Sequence, residues 1–172
     1  VLFHSTPDQK TIAFGLADET IELPGQTPLE TYLNIPLAIE ALKKSKVDFI
    51  HPGFGFLSEN AEFVRKLEEN EIGFIGPSSK TISLAGNKIK AKELAQKSGV
   101  PTTPSYTGDT SDPKQLLSEV KKIGYPCIIK AASGGGGKGM KVVTEDSQLF
   151  EQLESAQREA MNAFGSSVVF IE

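Results

Sequence analysis

The chain has 172 residues, 38% of them apolar and 23% charged, and a formal net charge of −4. That length suits one mid-sized domain, or one domain plus part of another, with enough apolar material for a packed core. The acidic balance argues against a nucleic-acid surface, and no apolar run reaches membrane-spanning length. A single cysteine excludes an intrachain disulfide framework and fits a reducing compartment.

The first hundred residues alternate short apolar runs with helical patterns. A helix is expected over about Ile35 to Ser45, with Asn34 as N-cap and Leu37, Ile39 and Leu42 as apolar positions. The short β-rich run Val47 to His51 follows. A second helix is expected over about Glu59 to Asn70, with Ser58 as N-cap and Phe63, Val64 and Leu67 inward, and leads into the run Gly73 to Gly76. This strand–helix–strand alternation argues for a parallel sheet with covering helices. A third helix, Asn87 to Ser98, stops at Gly99, with Pro101 just beyond.

Pro101-Thr102-Thr103-Pro104 is the best candidate for a domain boundary, because closely spaced prolines punctuate structure. Beyond it the pattern changes to a small α+β unit. A helix from Pro113 to Ile123 has Asp112 as N-cap, Pro113 in its first turn and Gly124 as its stop. A strand, Cys127 to Ala131, leads into a glycine run. A second strand, Met140 to Val143, leads out of it. A long helix, about Ser147 to Phe164, and a last strand, Val168 to Glu172, complete the order. Cys127 sits among apolar neighbours and reads as a buried structural thiol. Both ends of the sequence fall inside apolar runs, which reads as a piece of a longer protein.

Ser133-Gly134-Gly135-Gly136-Gly137-Lys138-Gly139 is the most informative segment. Glycine backbone can adopt positive φ and approach a ligand closely, and successive N–H groups can converge on phosphate oxygens. A loose hairpin tip is the bland alternative; five glycines in six residues favour a phosphate flap over it. A Walker A loop requires Ser or Thr after the lysine, and Gly139 follows Lys138. A Rossmann turn must open a helix, and Met140-Lys141-Val142-Val143 reads as a strand. A kinase flap has its lysine on a strand after the loop, and Lys130 precedes it. What remains is a strand–flap–strand hairpin with a lysine on the incoming strand, the nucleotide-binding unit of the ATP-grasp fold. On spacing alone Lys88 belongs to a solvated helix face, with Lys90 and Lys92 close by. His51, after Phe49-Ile50 and before a turn, reads as a hydrogen-bonded structural histidine.

His51-Pro52-Gly53-Phe54-Gly55-Phe56-Leu57-Ser58-Glu59-Asn60 resembles the signature of biotin carboxylases. So do Tyr125-Pro126, Ile129-Lys130-Ala131, the glycine run with Lys138-Gly139-Met140, Phe74-Ile75-Gly76-Pro77 and Gly99-Val100-Pro101. The resemblance covers essentially the whole chain. It implies an α/β fold in which residues 1–101 form a partial Rossmann-like N-terminal domain and residues 102–172 the mobile ATP-grasp lid. It implies that Lys88 and Lys130 contact ATP phosphates under Gly134, Gly135, Gly136 and Gly137. By the same resemblance Met140 lies against the adenine ring, Glu172 meets its amino group, and the biotin ring lies at Phe54 and Gly55. The sequence departs from the family at Phe54, often tyrosine, at Asn87, often aspartate, and at Lys138, sometimes arginine.

The implied reaction is carboxylation of biotin with MgATP and bicarbonate, within a homodimeric carboxylase of the cytoplasm or the mitochondrial matrix. A biotin carboxyl carrier domain and a carboxyltransferase domain or subunit are its partners. No catalytic residue and no metal ligand is expected within these 172 residues, since the family's Mg2+ ligands lie beyond Glu172; the chain alone is therefore expected to be inactive. Another ATP-grasp ligase, similar to carbamoyl phosphate synthetase or a purine-pathway carboxylase, and a non-catalytic nucleotide-binding module remain the alternatives.

Overall fold

The computed structural model describes residues 1–134 and 137–172. Contacts divide them into two compact units, Val1–Ser83 and Leu84–Glu172. The division falls earlier than the proline pair at 101–104, and the reason is local. The helix that follows Asn87 is tied to later residues of the second unit: Lys88 N–H donates to the Ala132 carbonyl (2.9 Å), and Lys92 pairs with Glu172 (2.7 Å).

In the first unit, β1 (Leu2–Ser5) pairs in parallel with β2 (Thr20–Leu23), joined through the short helix α1 (Ile12–Leu16). The helix α2 (Ile35–Ser45) has the expected bounds and cap. The Asn34 carboxamide oxygen accepts from Leu37 N–H at 3.1 Å, satisfying one of the donors that every helix start leaves free. β3 (Phe49–Ile50) pairs in parallel with β4 (Gly73–Phe74) across the helix α3 (Ala61–Glu69). The single covered sheet expected from the alternation is, among the described residues, two separate two-stranded parallel pairs. Phe63, Leu67, Ile39 and Leu42 form the centre of this unit's core.

The cap of α3 corrects the sequence reading. Asn60, not Ser58, holds the helix start, its side chain accepting from Phe63 N–H at 2.9 Å. Ser58 lies too early for that role: it belongs to the preceding turn, where its N–H donates to the Gly55 carbonyl at 2.9 Å, and the helix begins at Ala61.

α4 (Ser79–Gly86) leads to the second unit, where α6 (Pro113–Ile123) carries its expected cap Asp112, and α5 (Lys88–Lys97) begins one residue later than expected because Asn87 serves as its cap. β5 (Cys127–Ala131) lies at the centre of an antiparallel sheet, between β6 (Met140–Val143) and β7 (Val169–Ile171). α7 (Leu149–Phe164) starts two residues later than expected, because a 3-10 turn at Asp146–Gln148 precedes it. The Gln148 side-chain oxygen closes that turn, accepting from Thr144 N–H (3.1 Å) and from its hydroxyl (2.9 Å).

Strand side chains alternate between faces. Cys127, Ile129 and Ala131 of β5 point into a core with Val143, Ile171, Leu149, Ala156 and Leu116. Burial pushes the Cys127 thiol above its usual range, as befits an inert core thiol. Lys130 stands on the opposite face, directly across from Met140 on one neighbour and Phe170 on the other.

Candidate functional site

The open face of the β5–β6–β7 sheet collects the charged residues. The Lys130 ammonium donates to Glu172 Oε1. Lys92 donates to Glu172 Oε2 at 2.7 Å and to the Thr103 hydroxyl at 2.8 Å, and that hydroxyl donates to the same carboxylate oxygen at 3.1 Å. One carboxylate therefore carries a cation on each oxygen. Partial burial works to raise the Glu172 carboxyl, but the hydrogen bonds from Lys130, Lys92 and Thr103 outweigh it and hold the group at about 2. Met140 is 43% exposed beside this cluster, an apolar surface on the same face as Lys130.

The glycine loop begins where β5 ends. Ala132 N–H donates to the Val168 carbonyl (2.9 Å), and Ala131 N–H to the Gly139 carbonyl (3.0 Å), so both ends of the loop are pinned to the sheet. Gly134 has φ +82°, and a Cβ there would lie 2.2 Å from the Phe164 ring at the end of α7. Only glycine fits both constraints. Gly139 has φ +68°, and a Cβ there would lie 3.0 Å from that of Ala131. Gly137 is exposed with φ +77°. Gly135 and Gly136, also expected at the phosphates, lie outside the described residues.

Lys88 reaches this loop, its ammonium donating to the Gly134 carbonyl. Asn87 caps α5 by accepting from Lys90 N–H at 3.1 Å, and bridges to Ser133. The departure from aspartate at this position keeps an acceptor of the same reach, so the cap survives the loss of charge. The second unit thus brings together Lys88, Lys130, Gly134, Gly137, Met140 and Glu172. Sequence reasoning missed Lys92 and Thr103. The signal for Lys92 was its spacing: it follows Lys88 by one helical turn and shares its face, whereas Lys90 does not.

Phe54 and Gly55 lie in the first unit, in a turn with three positive φ values: Gly53 at +73°, Gly55 at +77° and Phe56 at +44° flank Phe54. His51 accepts the Gly53 N–H on Nδ1 at 3.0 Å, the structural role expected of it. The Phe56 ring stacks on Tyr32 with centroids 5.5 Å apart, while Phe54 is fully exposed. A cleft of about 360 Å³ opens beside the turn, lined in part by Tyr32, Ile50, His51, Pro52 and Phe56.

Among the described residues, no group of three or more His, Cys, Asp or Glu side chains is placed to hold a metal ion. No helix among them is long and apolar enough to cross a membrane.

Comparison with known proteins follows the same division. Residues 1–82 match the family described as biotin carboxylase, N-terminal domain. Residues 87–172 match the carbamoyl-phosphate synthase L chain, ATP binding domain. The biotin carboxylase of Pseudomonas aeruginosa is 40% identical over 173 aligned residues, which cover 100% of this chain and 38% of that protein. The crystal structure of a Campylobacter jejuni biotin carboxylase–β,γ-ATP complex superposes with a TM-score of 0.92 at 40% identity, over 99% of this chain and 38% of the other. The biotin carboxylase domain dimer of Hydrogenobacter thermophilus 2-oxoglutarate carboxylase, with MgADP, ADP and bicarbonate, has a TM-score of 0.90 at 37% identity, over 99% of this chain and 37% of the other. The chain spans well under half the length of the relatives it matches.

Proposed function

This chain belongs to the biotin carboxylase family, and on that premise we propose that it supplies the nucleotide-gripping part of an enzyme that carboxylates carrier-bound biotin with MgATP and bicarbonate. The observation that carries the reading is the cluster on the open sheet face, with Lys130 and Glu172 beside a glycine loop that Lys88 holds at Gly134. In this reading Lys88 and Lys130 turn to the ATP phosphates, the loop N–H groups close over them, Met140 supports the adenine ring and Glu172 accepts from its amino group. Residues 102–172 close as the lid, and the biotin ring lies at Phe54 and Gly55.

Bicarbonate then attacks the γ-phosphate to give carboxyphosphate and ADP. Carboxyphosphate breaks down to carbon dioxide and phosphate, and a biotin ring nitrogen bonds the carbon dioxide as its N–H proton passes to the released phosphate. Phosphoryl transfer of this kind depends on positioning and charge neutralisation, which is what two lysines and a closing loop contribute. A closed loop also keeps water from the labile intermediate. Mg2+ would neutralise phosphate charge through oxygen ligands; among the described residues no cluster of His, Cys, Asp or Glu is placed to hold it.

The complete protein works as a homodimer with a biotin carboxyl carrier and a carboxyltransferase part, in the cytoplasm or the mitochondrial matrix. The nucleotide, bicarbonate and dimer of the Hydrogenobacter thermophilus domain support the substrate and assembly readings. The match of residues 1–82 favours a biotin carboxylase over another ligase with the same ATP unit. The test is ADP release by the complete protein. It should require both biotin and bicarbonate, and the 172-residue chain alone should show none. Release that ignores biotin would sink the reading in favour of a different ligase.

A further inference from the structure

Glu172 is compensated twice over, and only one of its two cations is needed elsewhere. If Lys130 turns to a phosphate, Glu172 Oε1 loses its partner. The carboxylate is 17% exposed, so water replaces that partner poorly. Lys92 is more enclosed still, at 11%, with its ammonium 5.8 Å from the Phe170 ring centroid and 2.7 Å from Glu172 Oε2. It arises from α5, whose first residue is bonded to Ala132 through its backbone N–H, so its position is fixed independently of the glycine loop's tip.

Resting on the phosphate role proposed above for Lys130, we propose that Lys92 is a positioning residue for nucleotide exchange: it keeps Glu172 paired while Lys130 leaves the carboxylate for a phosphate. Without Lys92, releasing Lys130 would leave a poorly hydrated carboxylate with only the Thr103 hydroxyl. A neutral donor is weaker than a cation at such a site, and an uncompensated buried charge is costly. Glu172 would then retain Lys130 and compete with the nucleotide for it. With Lys92 present, the carboxylate stays fixed, ionised and free on one oxygen to accept a donor from the ligand.

The inference predicts a phosphate-specific defect. In the complete carboxylase, Lys92→Met should weaken ATP binding by about tenfold to a hundredfold, the scale of one charge-assisted hydrogen bond. Adenosine, which has no phosphate to draw Lys130 away, should bind within about twofold of wild type, and this retained binding also reports an intact fold. Lys92→Arg should restore most of the ATP affinity. In a Glu172→Gln background, where no anion traps Lys130, Lys92→Met should cost nothing further, so the two substitutions are non-additive. Equal losses for ATP and adenosine, or the same Lys92→Met cost with and without Glu172, would overturn the exchange. A Lys130→Ala variant separates the two levels of the argument. If it binds ATP as well as wild type, the phosphate role fails and the exchange fails with it. If it loses affinity while Lys92→Met does not, the exchange alone fails.

Discussion

The two faces of the antiparallel sheet differ by a single step along the same strand. Ile129 is fully buried against α6 and α7; Lys130, the next residue, is paired with Glu172 on the other face. Inward residues from all three strands close a core, whereas the outward face leaves Met140 and Val142 exposed and gathers one carboxylate and two lysines. Because side chains alternate with a period of two, a strand can devote odd positions to folding and even positions to chemistry without either compromising the other. Adjacent substitutions should therefore have effects of different kinds.

The largest expected effect is on the closed face. Ile129→Ala removes a fully buried side chain from the centre of the second unit's core and should cost about 2–5 kcal/mol of stability, measured by denaturant unfolding. A loss under about 1 kcal/mol would mean that this face is not the unit's main packing surface.

A second measurement separates the faces through pH. The Glu172 carboxyl is held at about 2, below its ordinary 4.5. A depressed carboxylate stabilises the fold fully above about pH 4.5, and that contribution disappears as pH falls towards 2. The full shift sets only an upper limit of a few kcal/mol, and solvent screening of the partly exposed pair lowers it. Glu172 is faced by Lys130, Lys92 and Thr103. Subtracting the Glu172→Gln unfolding profile from that of wild type should isolate a slope between pH 4.5 and 2. Parallel profiles would show that the doubly paired carboxylate adds nothing.

Lys130→Ala should act on the ligand instead of the fold. Losing one charge-assisted contact to a phosphate should cost about 1.5–3 kcal/mol in ATP affinity, with much less change in unfolding midpoint than Ile129→Ala. Wild-type KM for ATP and wild-type turnover in this variant would remove Lys130 from the site.

Elements of the second unit were legible because each has a local cause. Asp112 and Gly124 bound α6, and alternation marks β5 from Cys127 to Ala131. In the first unit β3 and β4 fall within the expected runs Val47 to His51 and Gly73 to Gly76, but Thr20–Leu23 and the helices Ile12–Leu16 and Ser79–Gly86 carry too little periodicity to be legible. The choice of Asn60 over Ser58 as a cap depended on where the preceding turn ends and the helix begins, which spacing does not reveal. Lys130 could be read from its place before a glycine run. For Lys92 the one-turn spacing from Lys88 marked the face but not the role, because its partner Glu172 is 80 residues away in sequence.

The smallest expected effect tests the outer face at its apolar end. Met140 faces Lys130 across the β5–β6 pair, and at 43% exposure it contributes little to the core. Val143, three residues on in the same strand, is fully buried. Met140→Ala should therefore change stability by no more than about 0.5 kcal/mol, as surface substitutions usually do. If Met140 supports an adenine ring, the variant should lose a thioether–aromatic contact worth about 0.3–1.5 kcal/mol, a loss of at most about tenfold in affinity. This loss should appear for adenosine as much as for ATP, since it concerns the base and not the phosphates. That pattern is the reverse of the one expected for Lys92→Met, so the two variants together assign each end of the face to one part of the nucleotide. Unchanged adenosine affinity in Met140→Ala would confine the functional surface to the charged cluster around Glu172.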